Sequence, residues 1–150
     1  MGERPVRIGE VEGSTPSRST MLKTKRDKGK KGEKIVADFL REKGYKILER
    51  NYFPQVKGPL VGEIDIIAKD KEEIVFVEVK SSFKEGSISP EERVNLKKLK
   101  KIWHTALFYL NERKISLVNW RIDVVALEEG VKGGHLRHIK NISIPWNNIF

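Results

Sequence analysis

The sequence predicts an α/β domain in which helices flank a central mixed β-sheet. Apolar residues recur at helical spacing in two segments, and β-branched runs surround them in the order helix, three strands, helix, two strands. The second helix separates two strands, and such a connection normally joins parallel neighbours of one sheet. With 150 residues, 38% of them hydrophobic, the chain is long enough for one packed domain and too short for two of ordinary size.

Residues 1–27 are predicted to form a flexible basic and polar tail, and residues 28–150 a single domain. The first segment is rich in glycine, serine, threonine and proline, so it buries too little apolar surface to offset the entropy lost on ordering. Met21 stands directly before a basic run, and one hypothesis is that translation starts there.

The first helix is predicted over residues 30–43, where apolar residues recur one turn apart, and Gly44 supplies a stop. Its apolar positions are Ile35, Val36, Phe39 and Leu40.

Three strands are predicted next, over residues 45–53, 61–69 and 74–81, with a loop over residues 54–59 after the first. The last two strands flank a short charged stretch and are therefore predicted to pair as an antiparallel hairpin.

The long second helix is predicted over residues 91–113, followed by strands near residues 117–127 and 135–144. Its inward-facing residues are predicted to be Leu99, Ile102, Trp103, Ala106 and Leu110. A basic face lies mostly opposite them, formed by Lys97, Lys98, Lys100, Lys101 and His104.

The hairpin carries the charged residues that indicate chemistry. If the turn is centred on the charged stretch, equal offsets place Asp65 opposite Glu78 and Glu63 opposite Lys80. Opposed carboxylates repel each other unless a cation or a proton intervenes, and Mg²⁺ prefers such oxygen ligands. Asp65, Glu78 and the main-chain carbonyl of Val79 are therefore candidate ligands for Mg²⁺, with Mn²⁺ as a substitute, and Lys80 would face the same space. Alternatively, Glu63 and Lys80 form a plain cross-strand ion pair.

At these positions the sequence resembles the PD-(D/E)XK, or restriction-endonuclease-like, nuclease superfamily. The motifs that carry this likeness are Gly62-Glu63-Ile64-Asp65 and Val77-Glu78-Val79-Lys80. Together with Lys31-Gly32-Glu33, Gly44-Tyr45 and Arg50-Asn51, they make the chain similar to the YraN-like family of endonucleases, relatives of archaeal Holliday-junction resolvases. The resemblance covers residues 30–127. Ile64 stands where the superfamily has a nominal proline, as it does in YraN-like members.

The resemblance implies a restriction-endonuclease-like fold and a Mg²⁺-dependent endodeoxyribonuclease that acts on branched or single-stranded DNA. Asp65 and Glu78 match the metal-binding acids, Lys80 matches the catalytic lysine, and Glu33 matches an additional acid beside the metal. Independently, Glu33 extends the apolar stripe of the first helix towards the sheet, although a glutamate near a helix N-terminus is also stabilised by the helix dipole. Resolvase-like relatives work as two-fold dimers, so a homodimer is expected.

The formal net charge of +9 favours a polyanionic partner such as DNA, or else serves solubility alone. Lys97, Lys101, Lys30 and Lys31 are the candidate phosphate contacts, with a solvated surface as the alternative for the helix. Two other functions therefore stay open, a non-catalytic nucleic-acid-binding module and a scaffold whose charge only keeps it in solution.

Cysteine and histidine usage narrows the kinds of metal site and cross-link that the chain can form. The absence of cysteine excludes disulfides and thiolate metal sites, and the spacing of the histidines does not favour zinc. Arg121 and Asp123 share one face of a strand and are predicted to form a structural ion pair. No apolar run has the length of a membrane span and nothing resembles a secretory segment, so a cytoplasmic protein without a membrane partner is expected.

Overall fold

The structure, a computed structural model, describes residues 25–56, 58–84, 96–115, 119–130 and 133–142. These residues form two helices and five strands in the predicted order. The elements are α1 (Lys25–Glu42), β1 (Lys46–Tyr52), β2 (Ile64–Asp70), β3 (Glu73–Lys84), α2 (Leu96–Glu112), β4 (Trp120–Gly130) and β5 (Gly133–Ile139).

The five strands form one sheet and lie side by side in chain order. The β3 and β4 strands are parallel, and the other neighbouring strands are antiparallel. The parallel pair is the one that α2 separates along the chain, as expected for a helical crossover. The predicted α/β class with a mixed sheet is confirmed, and it is consistent with a restriction-endonuclease-like core.

The two helices cover opposite faces of the sheet. Along β3 the side chains alternate, so that Phe76 packs in the cluster with α2 while Val75 and Val77 pack in the cluster with α1. Burial on both faces explains why β3 reads as a nearly continuous apolar run. The α2 residues in the core are Leu99, Ile102, Ala106, Tyr109 and Leu110, with Trp103 partly buried against them.

The element boundaries differ from the predictions in two instructive places. The α1 helix begins at Lys25 rather than at residue 30, and it ends as predicted, with Gly44 in the left-handed region at φ 93°. The β2 strand begins at Ile64 rather than at residue 61. The main chain of Gly62 instead hydrogen-bonds Thr105 of α2, whose Oγ1 accepts from the Gly62 amide at 3.0 Å.

Some predictions fall on residues that the structure does not describe. These are residues 1–24 of the tail, residue 57 of the loop, residues 91–95 of the second helix, residues 117–118 of the fourth strand and residues 143–144 of the last strand. Neither helix in the described part of the chain is both long and apolar enough to cross a membrane.

The predicted Arg121–Asp123 ion pair is confirmed, and it lies within a larger network. Arg121 Nε donates to Asp123 Oδ1 at 3.0 Å, and Nη2 of the same guanidinium donates to Asp70 at 3.2 Å and to the Tyr45 hydroxyl at 2.9 Å. The buried Asp123 carboxylate also lies 2.8 Å from His138 Nε2. This network joins β2, β4 and β5 to Tyr45, which directly precedes β1, so its role is structural.

Candidate metal centre

The predicted register of the β2–β3 hairpin is confirmed where the strands pair. Ile66 lies opposite Val77, and the pairs towards the turn keep the same offset. Continuing this offset by one residue brings Asp65 to Glu78, at the end of the ladder. There the Val79 amide donates to Asp65 Oδ2 at 2.8 Å, which fixes the Asp65 carboxylate beside the β3 main chain.

Three acids meet where β2 begins. One carboxylate oxygen from each of Glu33, Glu63 and Asp65 lies within 4.8 Å of the other two. Glu33 comes from α1, Glu63 from the segment before β2 and Asp65 from β2 itself. Glu33 and Asp65 were both predicted to serve one site, whereas Glu63 was interpreted only as a partner for Lys80. We call these three residues the acid cluster.

Asn51 links two members of the acid cluster. Its Nδ2 donates to Glu33 Oε2 at 2.7 Å and to Glu63 Oε1 at 2.8 Å. Asn51 has a φ of 51°, in the left-handed region that asparagine tolerates better than most residues. Beside this contact opens a cavity of about 420 Å³, so the acid cluster adjoins space that a ligand can enter. The cavity is lined by Gly29, Lys30, Glu33, Asn51 and Glu63.

Glu78 lies among lysines and is 2% exposed. Lys80 Nζ is 3.5 Å from Glu78 Oε1, and Lys98 Nζ contacts the same oxygen from α2. Within the described residues, Lys80 therefore pairs with Glu78 rather than with Glu63. Lys98 was predicted only as part of the basic helix face, and its contact across to β3 was missed.

The charge of Glu78 shifts the pKa of Asp65 in the acid cluster as well as those of the two lysines. Burial, and next the negative charge of Glu78, raise the pKa of Asp65 to about 8, although the hydrogen bond from the Val79 amide opposes this. Burial lowers the pKa of Lys80 despite the charge of Glu78. Burial also acts to lower the pKa of Lys98, but the hydrogen bond and charge of Glu78 outweigh it and the pKa is raised. A nearby cation would therefore stabilise the ionised form of Asp65.

The donor set suits a hard divalent cation. All three members of the acid cluster offer carboxylate oxygen, the ligand type that Mg²⁺ and Mn²⁺ take in proteins. Glu78 was predicted as a ligand together with Asp65. It raises the pKa of Asp65, but it stands outside the acid cluster and contacts lysines. The ligand role predicted for the Val79 carbonyl stays a prediction, since the contact found at Val79 is made by its amide.

The predicted phosphate-binding lysines border this region from two sides. Lys30 is exposed and lines the cavity, and Lys31 precedes Glu33 on the same helix. Lys97 is exposed on α2, while Lys101 packs beside Gly62, where an added Cβ would lie 3.8 Å from the lysine Cβ. Their contact with DNA stays a prediction.

Fold and site together define an α/β protein with an acidic candidate centre at one end of a mixed sheet, bordered by lysines. The chain belongs to the family described as "Uncharacterised protein family UPF0102", which matches residues 32–127. The predicted YraN-like membership is thereby confirmed. The matched range contains the acid cluster as well as Glu78, Lys80 and Lys98.

Relatives of the same family name come from several bacteria. A UPF0102 protein of Persephonella marina is 43% identical over 114 residues, which cover 76% of this chain and 90% of the relative. One from Thermotoga maritima is 49% identical over 86 residues, covering 57% of this chain and 73% of the relative. A third, from Clostridium botulinum, is 44% identical over 101 residues, covering 67% and 78% respectively.

Proposed function

We propose that this protein is a metal-dependent endonuclease of the PD-(D/E)XK superfamily that hydrolyses DNA phosphodiester bonds. The observation that carries the proposal is the acid cluster, whose carboxylate oxygens lie within 4.8 Å of one another beside an open cavity. Acids brought together from α1, the segment before β2 and β2 repel one another, so the fold bears a cost that a bound cation would offset.

Glu33, Glu63 and Asp65 would hold Mg²⁺, or Mn²⁺ in its place. When bound, the cation would neutralise phosphate oxygens and lower the pKa of water near the scissile bond. Asp65 must be ionised to act as a ligand, and its raised pKa makes it readily protonated when no cation is present. Asn51 holds Glu33 and Glu63 side by side, which limits their rotation before the substrate arrives.

Lys80 would supply positive charge to the phosphate during the reaction. Its side chain is 21% exposed, so Lys80 is largely shielded from bulk water. Glu78 holds Lys80 in place at 3.5 Å, and Lys98 in turn holds Glu78 from α2. A fixed charge in a shielded site stabilises a developing anion more strongly than a mobile one in water.

Cleavage tests this proposal directly. Purified protein with Mg²⁺ or Mn²⁺ is incubated with duplex, single-stranded, flap and four-way DNA, and we expect cleavage of at least one of them. Asp65→Asn keeps the size of the side chain but removes its charge, and we expect at least a hundredfold loss, on the order of the loss of one charge-stabilising group. The matched control is Glu72→Gln in the hairpin turn, where the side chain is 97% exposed. Equal cleavage by Asp65→Asn and the control would refute the proposal.

A non-catalytic nucleic-acid-binding module is the second candidate. The observation that favours it is the pairing of Glu78 with two lysines, which neutralises this acid without a metal. Such a module would bind DNA in a salt-sensitive manner, cleave none of the substrates with any divalent ion, and bind equally well after Asp65→Asn.

A further inference from the structure

The segment between β1 and β2 exposes an unusual share of apolar side chains. Of the six large hydrophobic residues that are exposed in the described part of the chain, three lie between Tyr52 and Val61. They are Phe53, Val56 and Leu60, at 55%, 50% and 61% exposure, and we call them the apolar loop. Contiguous exposed apolar surface usually marks a place that binds something, and three exposed apolar side chains within eight residues make this segment the candidate for such a surface.

Both ends of this segment are held by buried residues, so its apolar side chains are exposed although the main chain on either side is fixed. Tyr52 and Pro54 are buried at its start, and Val61 is buried at its end. The Gly62 amide then donates to Thr105 Oγ1 of α2 at 3.0 Å. Phe53 therefore points outward between two buried neighbours.

The apolar loop also adjoins the candidate metal centre at both ends. Asn51, which holds Glu33 and Glu63, lies two residues before Phe53, and Glu63 lies three residues after Leu60. Lys101, a predicted phosphate contact, packs against Gly62 at the same end. A nucleic acid with a phosphate at the acid cluster would thus have its neighbouring nucleotides beside the apolar loop.

Apolar and aromatic side chains bind nucleic acids through the faces of the bases. In a regular duplex these faces are covered by stacking, whereas single strands, flaps and junctions leave some of them free. We propose that the apolar loop is a specificity element of this site, in which Phe53 and its apolar neighbours bind unstacked bases next to the scissile phosphate. This inference rests on the proposed function for its substrate, DNA.

A second copy of this chain is the competing occupant, because a homodimer is expected from the resemblance. Contact between two such loops would bring together chains that each carry a formal net charge of +9, and this repulsion opposes association. DNA carries the opposite charge and removes that repulsion. Charge therefore favours DNA over a second copy at this surface.

Binding without cleavage tests the inference. Fluorescence anisotropy in EDTA measures the Kd for a labelled single-stranded oligonucleotide and for the same sequence in a duplex. Phe53→Ala should weaken single-strand binding by about 5- to 150-fold, the range for loss of one base-stacking contact, and leave duplex binding nearly unchanged. Phe53→Trp should restore the preference because it restores an aromatic face. Leu107→Ala is the matched control, since it removes an exposed apolar residue from α2.

The possible outcomes separate this inference from the nuclease proposal. An unchanged single-strand preference in Phe53→Ala, or equal losses on both DNAs, would overturn the inference even if the wild type cleaves DNA. A Phe53-dependent preference in a protein that cleaves nothing would support the inference and refute only the nuclease. If sedimentation shows a wild-type dimer that Phe53→Ala dissociates while the DNA preference persists, the loop is a self-interface and the inference is wrong.

Discussion

At the scale of single residues, Asp65 has the most unfavourable place in the described part of the site. Burial and the charge of Glu78 raise its pKa from 3.8 to about 8, so the folded chain holds this proton more tightly than the unfolded chain. Such a group makes folding less favourable as the pH rises between these two values, because ionisation occurs first in the unfolded chain. The geometry that suits a cation therefore costs stability when the cation is missing.

We accordingly predict that Asp65→Asn stabilises the metal-free protein at pH 8 and has little effect at pH 4. The wild-type Tm in EDTA should fall between these two pH values, and the Tm of the variant should fall less, because the amide has no proton to lose. Adding Mg²⁺ at pH 8 should raise the wild-type Tm and leave the variant nearly unchanged. Thermal unfolding followed by circular dichroism measures all of these values. An identical pH dependence in both proteins would contradict the prediction.

At the scale of elements, the order of helices and strands was predictable because each segment shows its own period. The β2–β3 register was predictable as well, since the short charged turn fixes the offset and Ile66 then lies opposite Val77. The start of β2 was not predictable. Val61 extends the β-branched run of the strand towards its N-terminus, but a tertiary hydrogen bond from the Gly62 amide to Thr105 competes with strand pairing.

The candidate site was predictable only in part, because some of its residues are brought in by tertiary contacts. Asp65, Glu78 and Lys80 lie on one hairpin, and their relation follows from local register. Asn51 and Lys98 reach the site from β1 and α2, and no local pattern specifies which side chain an element presents across a tertiary contact. The available signals were the Arg50-Asn51 motif of the resemblance and the position of Glu63 two residues before Asp65.

Lys98 also allows a prediction about how α2 is held against the sheet. Lys98→Met keeps the aliphatic stem but removes the charge that contacts Glu78, so among the described residues this buried acid keeps Lys80 as its ion-pair partner. The Lys98 side chain is 44% exposed, so solvent screens part of this contact, and we expect a loss of about 1 kcal/mol in the free energy of unfolding. Urea unfolding at pH 7 measures it. Lys97→Met, at the neighbouring exposed lysine, is the matched control and should change stability by less than about 0.5 kcal/mol. Equal effects would show that the Lys98–Glu78 contact adds no stability.

At the scale of the whole molecule, the net charge of +9 should favour association of the protein with DNA. Exposed lysines at the site end of the sheet would release counterions from phosphates, and affinity would then fall steeply as salt rises. Charge elsewhere on the surface would attract DNA from a distance without displacing ions from it. The position of each lysine is therefore expected to matter more than the total charge.

A matched pair of substitutions separates these two contributions. Lys97→Gln should lower the slope of log K against log salt concentration by about 1 for duplex DNA, because one phosphate contact is lost. Lys46→Gln removes the same charge from β1 where it pairs with Lys69, towards the hairpin turn and away from Asp65. This control should keep the slope and weaken binding only slightly. Titrations of labelled duplex between 50 and 200 mM salt, roughly the range over which phosphate contacts are felt, measure both slopes. If both variants lower the slope equally, or neither does, the prediction that Lys97 contacts phosphate through its place at the site end of the sheet is wrong.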